Sequence, residues 1–505
     1  MPSLVDDLAR WAERARAAAA EAACDPTLRE VGTVEHVGDG VAGVLGLKRA
    51  RADELLRFAG GVAGMAVTLG PDRIGAVLLG EWQGIAAGSE VTGTGEVVRV
   101  PVGEELLGRV VDPLGRPLDG GPAPACRRSD PVERPAPGII ERELVTRPLA
   151  TGITVIDAML PIGRGQRELI IGDRKPGKTA IAVDAILNQR DGEVICVYAA
   201  VGQKTSTVAR VMDTIARLGP RARTIVVVAE ASGPTGLAWI APYAACTMAE
   251  YFSERGRDVL LVLDDLTKHA AIHREVSLLL RRPPGREAYP GDVFYAHSRL
   301  LERGAHLSAQ RGGGSLTILP IAETQGGNLT AYIPTNLISI TDGQIILDPK
   351  LFTEGQKPAV NVGLSVSRVG GKAQAPALKG LAGSLRLEYA QFLELEMFTR
   401  FGGMADDRTR AIVEHGRRIR QMLIQANTAT RPLAEQVAGL LALGEGLLDR
   451  LPPEAVDAFK GALAGRLAAD GADIAGRIQA TGELSEADRA ALALRLAAMV
   501  AAGAT

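Results

Sequence analysis

The sequence has 505 residues, with 57 Lys and Arg against 59 Asp and Glu, which gives a formal net charge of −2 at pH 7. Hydrophobic residues make up 46% and charged residues 23%, so a globally disordered or fibrous chain is excluded. The balanced charge gives no general electrostatic reason to bind nucleic acid or an anionic membrane. At about 150 residues per domain, the length predicts about three domains.

Cysteine usage and hydropathy exclude further classes. The four cysteines are far apart and form no CxxC pair, so neither a disulfide framework nor a zinc site is indicated. No apolar run approaches the ~20 residues of a membrane span, and the N-terminus does not have the pattern of a signal peptide. We expect a soluble chain in a reducing compartment, or a peripheral part of a larger assembly.

The N-terminal part of the chain predicts a helix followed by short strands. Residues 1–25 are rich in alanine and carry apolar residues at helical spacing, which predicts an amphipathic helix. That helix is either a packed terminus or a docking helix for a partner. Residues 26–92 contain short valine-rich runs broken by glycine, the pattern of a small β-barrel.

The rest of the chain predicts an α/β region and then a helical one. Between residues 93 and 375, apolar strand-like runs alternate with helical stretches, which is typical of a mostly parallel sheet covered by helices. From residue 376 to 505, helical periodicity replaces this pattern. The predicted fold class is therefore α/β multidomain, with an N-terminal small β-barrel, a central α/β domain and a C-terminal helical bundle.

The strongest local motif is a glycine loop, GDRKPGKT, at residues 172–179, which fits G-x4-G-K-[ST]. It lies between an apolar run and a helical pattern, so backbone N–H groups and the helix dipole can hold a polyphosphate. Lys178 is expected on the β- and γ-phosphates and Thr179 on Mg²⁺. The predicted nucleotide-binding residues here are Gly172, Asp173, Arg174, Lys175, Pro176, Gly177, Lys178, Thr179 and Ala180.

Two further strand ends carry groups that would face the nucleotide. The apolar run 259–263 leads to Asp264, which we predict to be the acid of the Mg²⁺ shell. The run 194–200 leads to Gln203, where hydrolytic members of this fold place a carboxylate that activates water. An amide orients water but accepts its proton poorly. The site is therefore expected to hold nucleotide without turning it over efficiently.

Arg368, within the segment SVSRVG at residues 365–370, leaves two interpretations open. It is either one half of a structural ion pair or an arginine finger offered to a neighbouring subunit. In phosphoryl transfer such a finger contributes ~10³ to 10⁵ in rate. The sequence pattern does not decide between the two.

Asp265, His269 and His273 recur at helical spacing and could share one face of a helix. Such a face can bind a metal ion. No Glu lies between the two histidines and no open-site signature accompanies them. The pattern therefore favours a structural role over a metal site.

Longer segments resemble one family. These segments are residues 161–174, 278–295, 332–336, 340–344 and 361–370. They are similar to the α subunit of F-type ATP synthases, and the similarity covers nearly the whole chain. The resemblance implies a crown of barrels, a RecA-like nucleotide-binding domain with a mostly parallel sheet, a C-terminal helical bundle, and an alternating α3β3 ring around a rotating stalk.

The same resemblance implies ligands, partners and a location. The ligands are ATP or ADP with Mg²⁺. The partners are β subunits, the central-stalk γ subunit and peripheral-stalk subunits, with no nucleic acid. The expected location is the cytoplasmic side of a bacterial inner membrane, with membrane contact only through the assembled complex, which carries protons or sodium ions.

The resemblance also assigns roles to single residues. It implies that the site containing Gln203 binds Mg-ATP without catalysis. Arg368 matches the arginine that the α subunit contributes to the adjacent catalytic β site, and Ser339 matches a neighbouring interface serine. The residues expected to border the nucleotide are Lys357, Pro358, Gln425 and Asn427.

The chain departs from the family pattern in the glycine loop. Loops of this family read GDRQTGKT, whereas Lys175 and Pro176 stand here. Proline has no N–H, so Pro176 removes one donor from the phosphate cradle, while Lys175 adds a cation near the terminal phosphate. We expect altered nucleotide occupancy or Mg²⁺ dependence. His269 and the segment 400–408 also deviate, which suggests a divergent branch of the family; a sodium-linked branch is one candidate, and the choice between proton and sodium stays open.

Two other classes of function fit the sequence less well. A hexameric RNA-translocating ATPase also joins a small barrel to a RecA-like domain, but it needs a basic path with aromatic side chains. Aromatic residues are only 4% of this chain and its net charge is −2. A self-sufficient catalytic ATPase, such as a β subunit or a secretion motor, is opposed by Gln203.

Overall fold

The structure is a computed structural model. The described residues are Trp11, Arg16, 30–400, 406–449, 451–452 and 454–503. Apart from Trp11 and Arg16, the helix predicted over residues 1–25 lies outside the described residues, as does part of the divergent segment 400–408. None of the described helices is both long and apolar enough to cross a membrane.

Six short strands near the N-terminus close into an antiparallel barrel in the order β1-β2-β5-β4-β3-β6. Asp39 and Gly40 form the two-residue connection between the first two strands, and both have positive φ, as a tight hairpin of this length requires. Alternate apolar side chains fill the interior of the barrel. The strands are β1 (Val31–Gly38), β2 (Val41–Leu45), β3 (Glu54–Phe58), β4 (Ala63–Leu69), β5 (Arg73–Leu78) and β6 (Glu90–Val97).

A sheet of ten described strands forms the centre of the molecule, along the path β18-β17-β11-β16-β14-β12-β13-β8, with β10 and β15 at one side. From β17 to β8 the neighbouring strands are parallel. A separate pair joins β7 to β9. The strands are β7 (Arg99–Val102), β8 (Val110–Val111), β9 (Arg128–Pro131), β10 (Arg142–Glu143), β11 (Leu169–Gly172), β12 (Ile195–Gln203), β13 (Thr224–Glu230), β14 (Asp258–Asp264), β15 (His306–Leu307), β16 (Ser315–Glu323), β17 (Gly343–Leu347) and β18 (Val366–Ser367).

Helices cover both faces of this sheet. The central strands are buried and almost continuously apolar, as expected for a parallel sheet with two covered faces. The helices in this part of the chain are α1 (Thr154–Met159), α2 (Lys178–Leu187), α3 (Thr205–Leu218), α4 (Thr235–Ser253), α5 (Leu266–Leu279), α6 (Val293–Leu301), α7 (Tyr332–Ile340) and α8 (Pro349–Thr353).

The C-terminal region consists of helices. Their apolar faces share one core with a face of the central sheet, so the helical region is packed onto the nucleotide-binding domain. The helices are α9 (Pro376–Arg400), α10 (Asp407–Leu423), α11 (Leu433–Gly444), α12 (Ala455–Asp470), α13 (Ala472–Thr481) and α14 (Glu486–Gly503). The predicted fold class, with a small barrel, a mostly parallel sheet and a helical bundle in chain order, is confirmed.

Candidate nucleotide-binding site and an exposed arginine

The glycine loop joins the end of β11 to the start of α2, as its sequence predicts. Two positions in it have left-handed backbone, Lys175 with a φ of 78° and Gly177 with a φ of 99°. The ammonium of Lys178 is buried and donates to the carbonyls of Gly172 at 2.8 Å and Asp173 at 2.6 Å. Burial lowers the pKa of Lys178. A polyphosphate bound in the loop would offer the Lys178 ammonium charged oxygens as acceptors in place of these two carbonyls.

The end of β14 places a carboxylate beside the loop. Asp264 is 2% exposed, and its Oδ2 accepts hydrogen bonds from the Thr179 hydroxyl and the Tyr198 phenol, each at 2.8 Å. Burial raises the pKa of Asp264, and these two hydrogen bonds oppose the rise. Thr179 and Asp264, which were predicted separately as groups of the Mg²⁺ shell, are therefore in direct contact.

Gln203 lies at the end of β12, next to β14, and both ends of its amide are occupied. Its Nε2 donates to Oδ1 of Asp264 at 2.7 Å, and its Oε1 accepts from Nζ of Lys268 at 2.7 Å. The amide is thus fixed between a carboxylate and an ammonium. The strand ends in an amide and not in a carboxylate. Because an amide is a very weak base, Gln203 does not accept a proton from water.

A narrow cleft beside the loop contains the four residues that were expected to border the nucleotide. Pro176 and Phe352 also line it. The side chain of Gln425 is held by the protein itself: its Nε2 donates to the carbonyls of Gly152 at 2.6 Å and Ala429 at 2.7 Å. Its Oε1 accepts from the Thr154 backbone at 3.1 Å, so both ends of the Gln425 amide are hydrogen-bonded within the chain. The four expected residues are Lys357, Pro358, Gln425 and Asn427.

Arg368 lies at the other end of the strands of the same sheet, the amino-terminal edge, whereas the glycine loop lies at the carboxyl-terminal edge. It follows β18, which pairs antiparallel with the first residues of β17, and its backbone N–H donates to the Asp342 carbonyl at 2.8 Å. The side chain is exposed and donates to the carbonyl of Ile338 at 3.3 Å. Within the described part of the chain, no carboxylate forms an ion pair with it, so the interpretation as a structural ion pair finds no partner there.

Arg368 cannot serve its own glycine loop. It lies at the amino-terminal end of β17, the strand that pairs with β11, whereas the loop follows the carboxyl-terminal end of β11. At about 3.3 Å per residue, the four residues of β11 alone separate the two ends by about 13 Å. Ser339 lies near Arg368, on the helix whose Ile338 carbonyl receives the guanidinium, and its hydroxyl donates to the Asn336 carbonyl at 2.7 Å.

Comparison with known proteins identifies the family. The profile of the ATP synthase alpha/beta family, nucleotide-binding domain, matches residues 152–367. The C-terminal domain of the ATP synthase alpha/beta chain matches residues 374–499, and the β-barrel domain of that family matches residues 28–95. The chain belongs to the ATP synthase alpha/beta family.

Curated relatives within the family carry the name of its α type. The chain is 58% identical over 490 residues to "ATP synthase subunit alpha 3" of Paraburkholderia xenovorans, which covers 97% of this chain and 92% of the relative. It is 59% identical over 448 residues to "ATP synthase subunit alpha 2" of Burkholderia thailandensis, which covers 89% and 81%. The resemblance to ATP synthase α subunits is therefore confirmed.

The sequence did not point to two residues of this site. Lys268, in the first turn of α5, donates a hydrogen bond to the amide oxygen of Gln203. Asp184 on α2 lines the narrow cleft beside the glycine loop and accepts a hydrogen bond from the Thr428 backbone at 2.9 Å. Burial raises the pKa of Asp184 to about 6. Asp184 did leave a signal, because it is a lone carboxylate within the apolar run of this helix.

The three residues considered for a metal ion point to separate partners. The carboxylate of Asp265 accepts from the Lys268 backbone at 2.7 Å and caps α5. His269 is bonded to the Trp239 carbonyl at 3.0 Å, and His273 to Asp292 at 2.8 Å. Across the described residues, no cluster of three or more His, Cys, Asp and Glu side chains is arranged to hold a metal ion.

Proposed function

We propose that the chain is the α subunit of a rotary F-type ATP synthase, which holds Mg-ATP or Mg-ADP at a non-catalytic site and lends Arg368 to the catalytic site of the adjacent β subunit. In the assembled complex, ATP synthesis or hydrolysis is coupled to ion transport across the membrane. The role in an ATP synthase follows from the family, and the division of labour between the two sites is the proposal.

One observation carries the non-catalytic assignment. Gln203 occupies the place of a general base, and Lys268 and Asp264 fix both ends of its amide. A group that activates the attacking water must accept its proton, and neither an amide nor an ammonium does so. Binding of nucleotide, by contrast, needs only the glycine loop, the dipole of α2 and Lys178. This supports a site that binds without splitting the nucleotide.

The assignment of Arg368 is supported by its position. The guanidinium is exposed, has no carboxylate partner among the described residues, and lies at the edge of the sheet away from its own glycine loop. A charged, planar donor group in this setting suits a phosphate that another subunit presents at the same face. Ser339 lies on the same edge and would contribute to that interface.

The donor set fits Mg²⁺. The Thr179 hydroxyl and the Asp264 carboxylate are oxygen groups 2.8 Å apart beside the glycine loop, and oxygen groups are the ligands that Mg²⁺ prefers. Thr179 would bind the ion directly, and Asp264 would hold its hydration shell while Tyr198 and Gln203 fix the carboxylate. When bound, the ion neutralises phosphate charge.

The proposed partners are β subunits in an α3β3 ring, the central-stalk γ subunit and peripheral-stalk subunits. The family membership and the names of the relatives support this set. In a bacterial cell the ring would lie on the cytoplasmic side of the inner membrane and contact the membrane only through the complex. The transported ion is a proton or a sodium ion, and its choice belongs to another subunit.

The isolated chain tests the first half of the proposal. Equilibrium binding of labelled ATP should show affinity that depends on Lys178, while release of phosphate by the same preparation stays at the background of a buffer control. Adding β and γ subunits should produce hydrolysis. Vigorous hydrolysis by the isolated chain would contradict the non-catalytic assignment and favour a self-sufficient ATPase.

A further inference from the structure

One oxygen of a buried carboxyl group in the cleft beside the glycine loop has no hydrogen-bond partner among the described residues. This group is Asp184, which is 6% exposed and belongs to the lining of the cleft. Its Oδ1 accepts a hydrogen bond from the Thr428 backbone N–H at 2.9 Å, whereas no described residue donates to Oδ2. A buried acceptor without a donor costs free energy, so a ligand that brings a donor to Oδ2 would gain affinity.

The position of Asp184 suits the base of a nucleotide. It lies six residues after Lys178 on α2, the helix that starts at the glycine loop, and at 1.5 Å per residue this is about 9 Å along the helix axis. Gly177, Ala180 and Ile181 line the same cleft, so the cleft runs along α2 from the loop to Asp184. With the phosphates held in the loop, a ribose and a purine span this distance.

The walls of the cleft suit a flat ring. Ile153 and Ile181 are buried, and Phe352 and Pro358 are half-buried. Small-molecule sites typically combine such apolar walls with a few polar groups that determine specificity. A base between these walls would therefore be recognised through the polar groups on its edge.

The other polar side chains of the cleft discriminate less between bases. Both ends of the Gln425 amide are hydrogen-bonded within the chain. The exposed Lys357 carries its ammonium over the Phe352 ring, 5.0 Å from the ring centre. The exposed Asn427 has both a donor and an acceptor, so its amide can pair with an amine or with a carbonyl. By contrast, an ionised Asp184 only accepts.

We propose that Asp184 is a specificity-determining residue of the nucleotide site, and that its Oδ2 accepts a hydrogen bond from the amine at position 6 of adenine. The inference rests on the proposed nucleotide-binding function. A purine with a carbonyl at position 6 would place one acceptor against another, and the carboxylate would stay without a donor. The site would therefore select ATP over inosine triphosphate, ITP, which carries that carbonyl.

The test compares equilibrium binding of labelled ATP and labelled ITP to the isolated full chain. Because burial raises the pKa of Asp184 to about 6, the assay is done at pH 8, where the carboxyl group is ionised. We expect the wild type to bind ATP at least about tenfold more tightly than ITP. Equal affinities of the wild type for the two nucleotides would overturn the proposal.

The decisive variant is Asp184→Asn, because the Thr428 N–H fixes which way the new amide points. That N–H needs an acceptor, so the amide oxygen should face Thr428 and the NH₂ group should face the cleft. A donor then meets position 6 of the base. The ratio of ATP affinity to ITP affinity should therefore fall at least about tenfold from the wild-type value. An unchanged ratio would overturn the proposal.

Two further variants complete the test. The matched control is Asp191→Asn, the same substitution at an aspartate that is 87% exposed, for which the ratio should equal that of the wild type. Should Asp184→Asn not fold, as judged by circular dichroism, Asp184→Ala removes the acceptor and should bring the two affinities close together. If Asp184 only anchored the Thr428 backbone, Asp184→Ala would weaken both nucleotides equally, and that result would also overturn the proposal.

Failure of this inference can be told apart from failure of the proposed function. ATP binding that does not depend on Lys178 would contradict the nucleotide site and, with it, the role of Asp184. ATP binding that is weakened in Lys178→Ala, combined with equal ratios in the wild type and Asp184→Asn, would leave the nucleotide site in place and overturn only the recognition of the base.

Discussion

The two edges of the central sheet are built in opposite ways. At the carboxyl-terminal edge, Asp264, Gln203 and Lys268 bond to one another, and the cluster is closed within one chain. At the amino-terminal edge, the Arg368 side chain is exposed, and the one hydrogen bond of its guanidinium to a described residue is to the Ile338 carbonyl. This difference is what the proposed division of labour expects, in which one end of the sheet holds a nucleotide without splitting it and the other end acts on a second chain.

We call the amino-terminal edge with Arg368 the open edge and the carboxyl-terminal edge with Gln203 the closed edge. The largest effect should come from Arg368 at the open edge. Arg368→Lys replaces a planar fork with a point charge, so turnover of the assembled ring should fall by ~10³-fold or more. Steady-state hydrolysis by the assembled complex measures it. Lys372→Ala, a substitution of an exposed cation four residues away, is the matched control and should keep turnover near the wild-type value. Equal losses in both variants would point to a general charge effect instead.

Removal of the phosphate-binding ammonium comes next in size. Lys178→Ala should weaken ATP binding by the isolated chain by roughly 10- to 100-fold, because a charge-assisted hydrogen bond contributes about 1.5–3 kcal/mol. Equilibrium dialysis with labelled ATP measures the change. Lys350→Ala, an exposed lysine on α8, serves as the control. An unchanged affinity in Lys178→Ala would mean that the glycine loop is not the phosphate site.

A lysine-to-methionine substitution at Lys268, in the closed edge, and at the exposed Lys372 tests the comparison directly. Lys268→Met leaves Oε1 of the buried Gln203 without a partner and should lower the free energy of unfolding by about 1–3 kcal/mol. Lys372→Met, at an exposed position four residues after Arg368, should change it by less than about 0.5 kcal/mol. Denaturant titration of both variants provides the measurement. Equal effects would show that the closed network adds no stability.

The smallest expected effect concerns the altered glycine loop. Lys175→Gln combined with Pro176→Thr restores one N–H donor and removes one cation, which should change ATP affinity by about 1 kcal/mol and alter its Mg²⁺ dependence. Binding of labelled ATP with and without Mg²⁺ would measure both the affinity and its dependence on Mg²⁺. Affinities that match the wild type under both conditions would mean that the two departures have no effect on binding.

Motif spacing was sufficient to predict much of the closed edge. The glycine loop, its Lys178 and the strand ends at Asp264 and Gln203 are local patterns, because each follows an apolar run whose carboxyl end must lie at the same edge of a parallel sheet. The contact between Thr179 and Asp264 confirms that they share one edge. Lys268 could not be predicted, since its role depends on how α5 packs against two strands.

Less of the open edge could be predicted from the sequence. The resemblance to the family assigned Arg368, but its segment alone left a structural ion pair equally open. Pairing of β18 with β17 decided where the guanidinium lies and how far it is from its own loop. No local pattern specifies such pairing.

The sequence by itself determined the order of barrel, parallel sheet and helical bundle, and the chemistry of the glycine loop, because hydrophobic period and short motifs are local properties. Only the tertiary structure decided which polar side chains already have hydrogen-bond or ion-pair partners within the chain and which are left to bind another molecule. Lys268 closes the Gln203 amide, Thr428 holds one oxygen of the Asp184 carboxyl group, and the sheet separates Arg368 from its own nucleotide site. These relations join residues that are distant in the chain, and only packing brings such residues within the few ångströms at which hydrogen bonds and charges act.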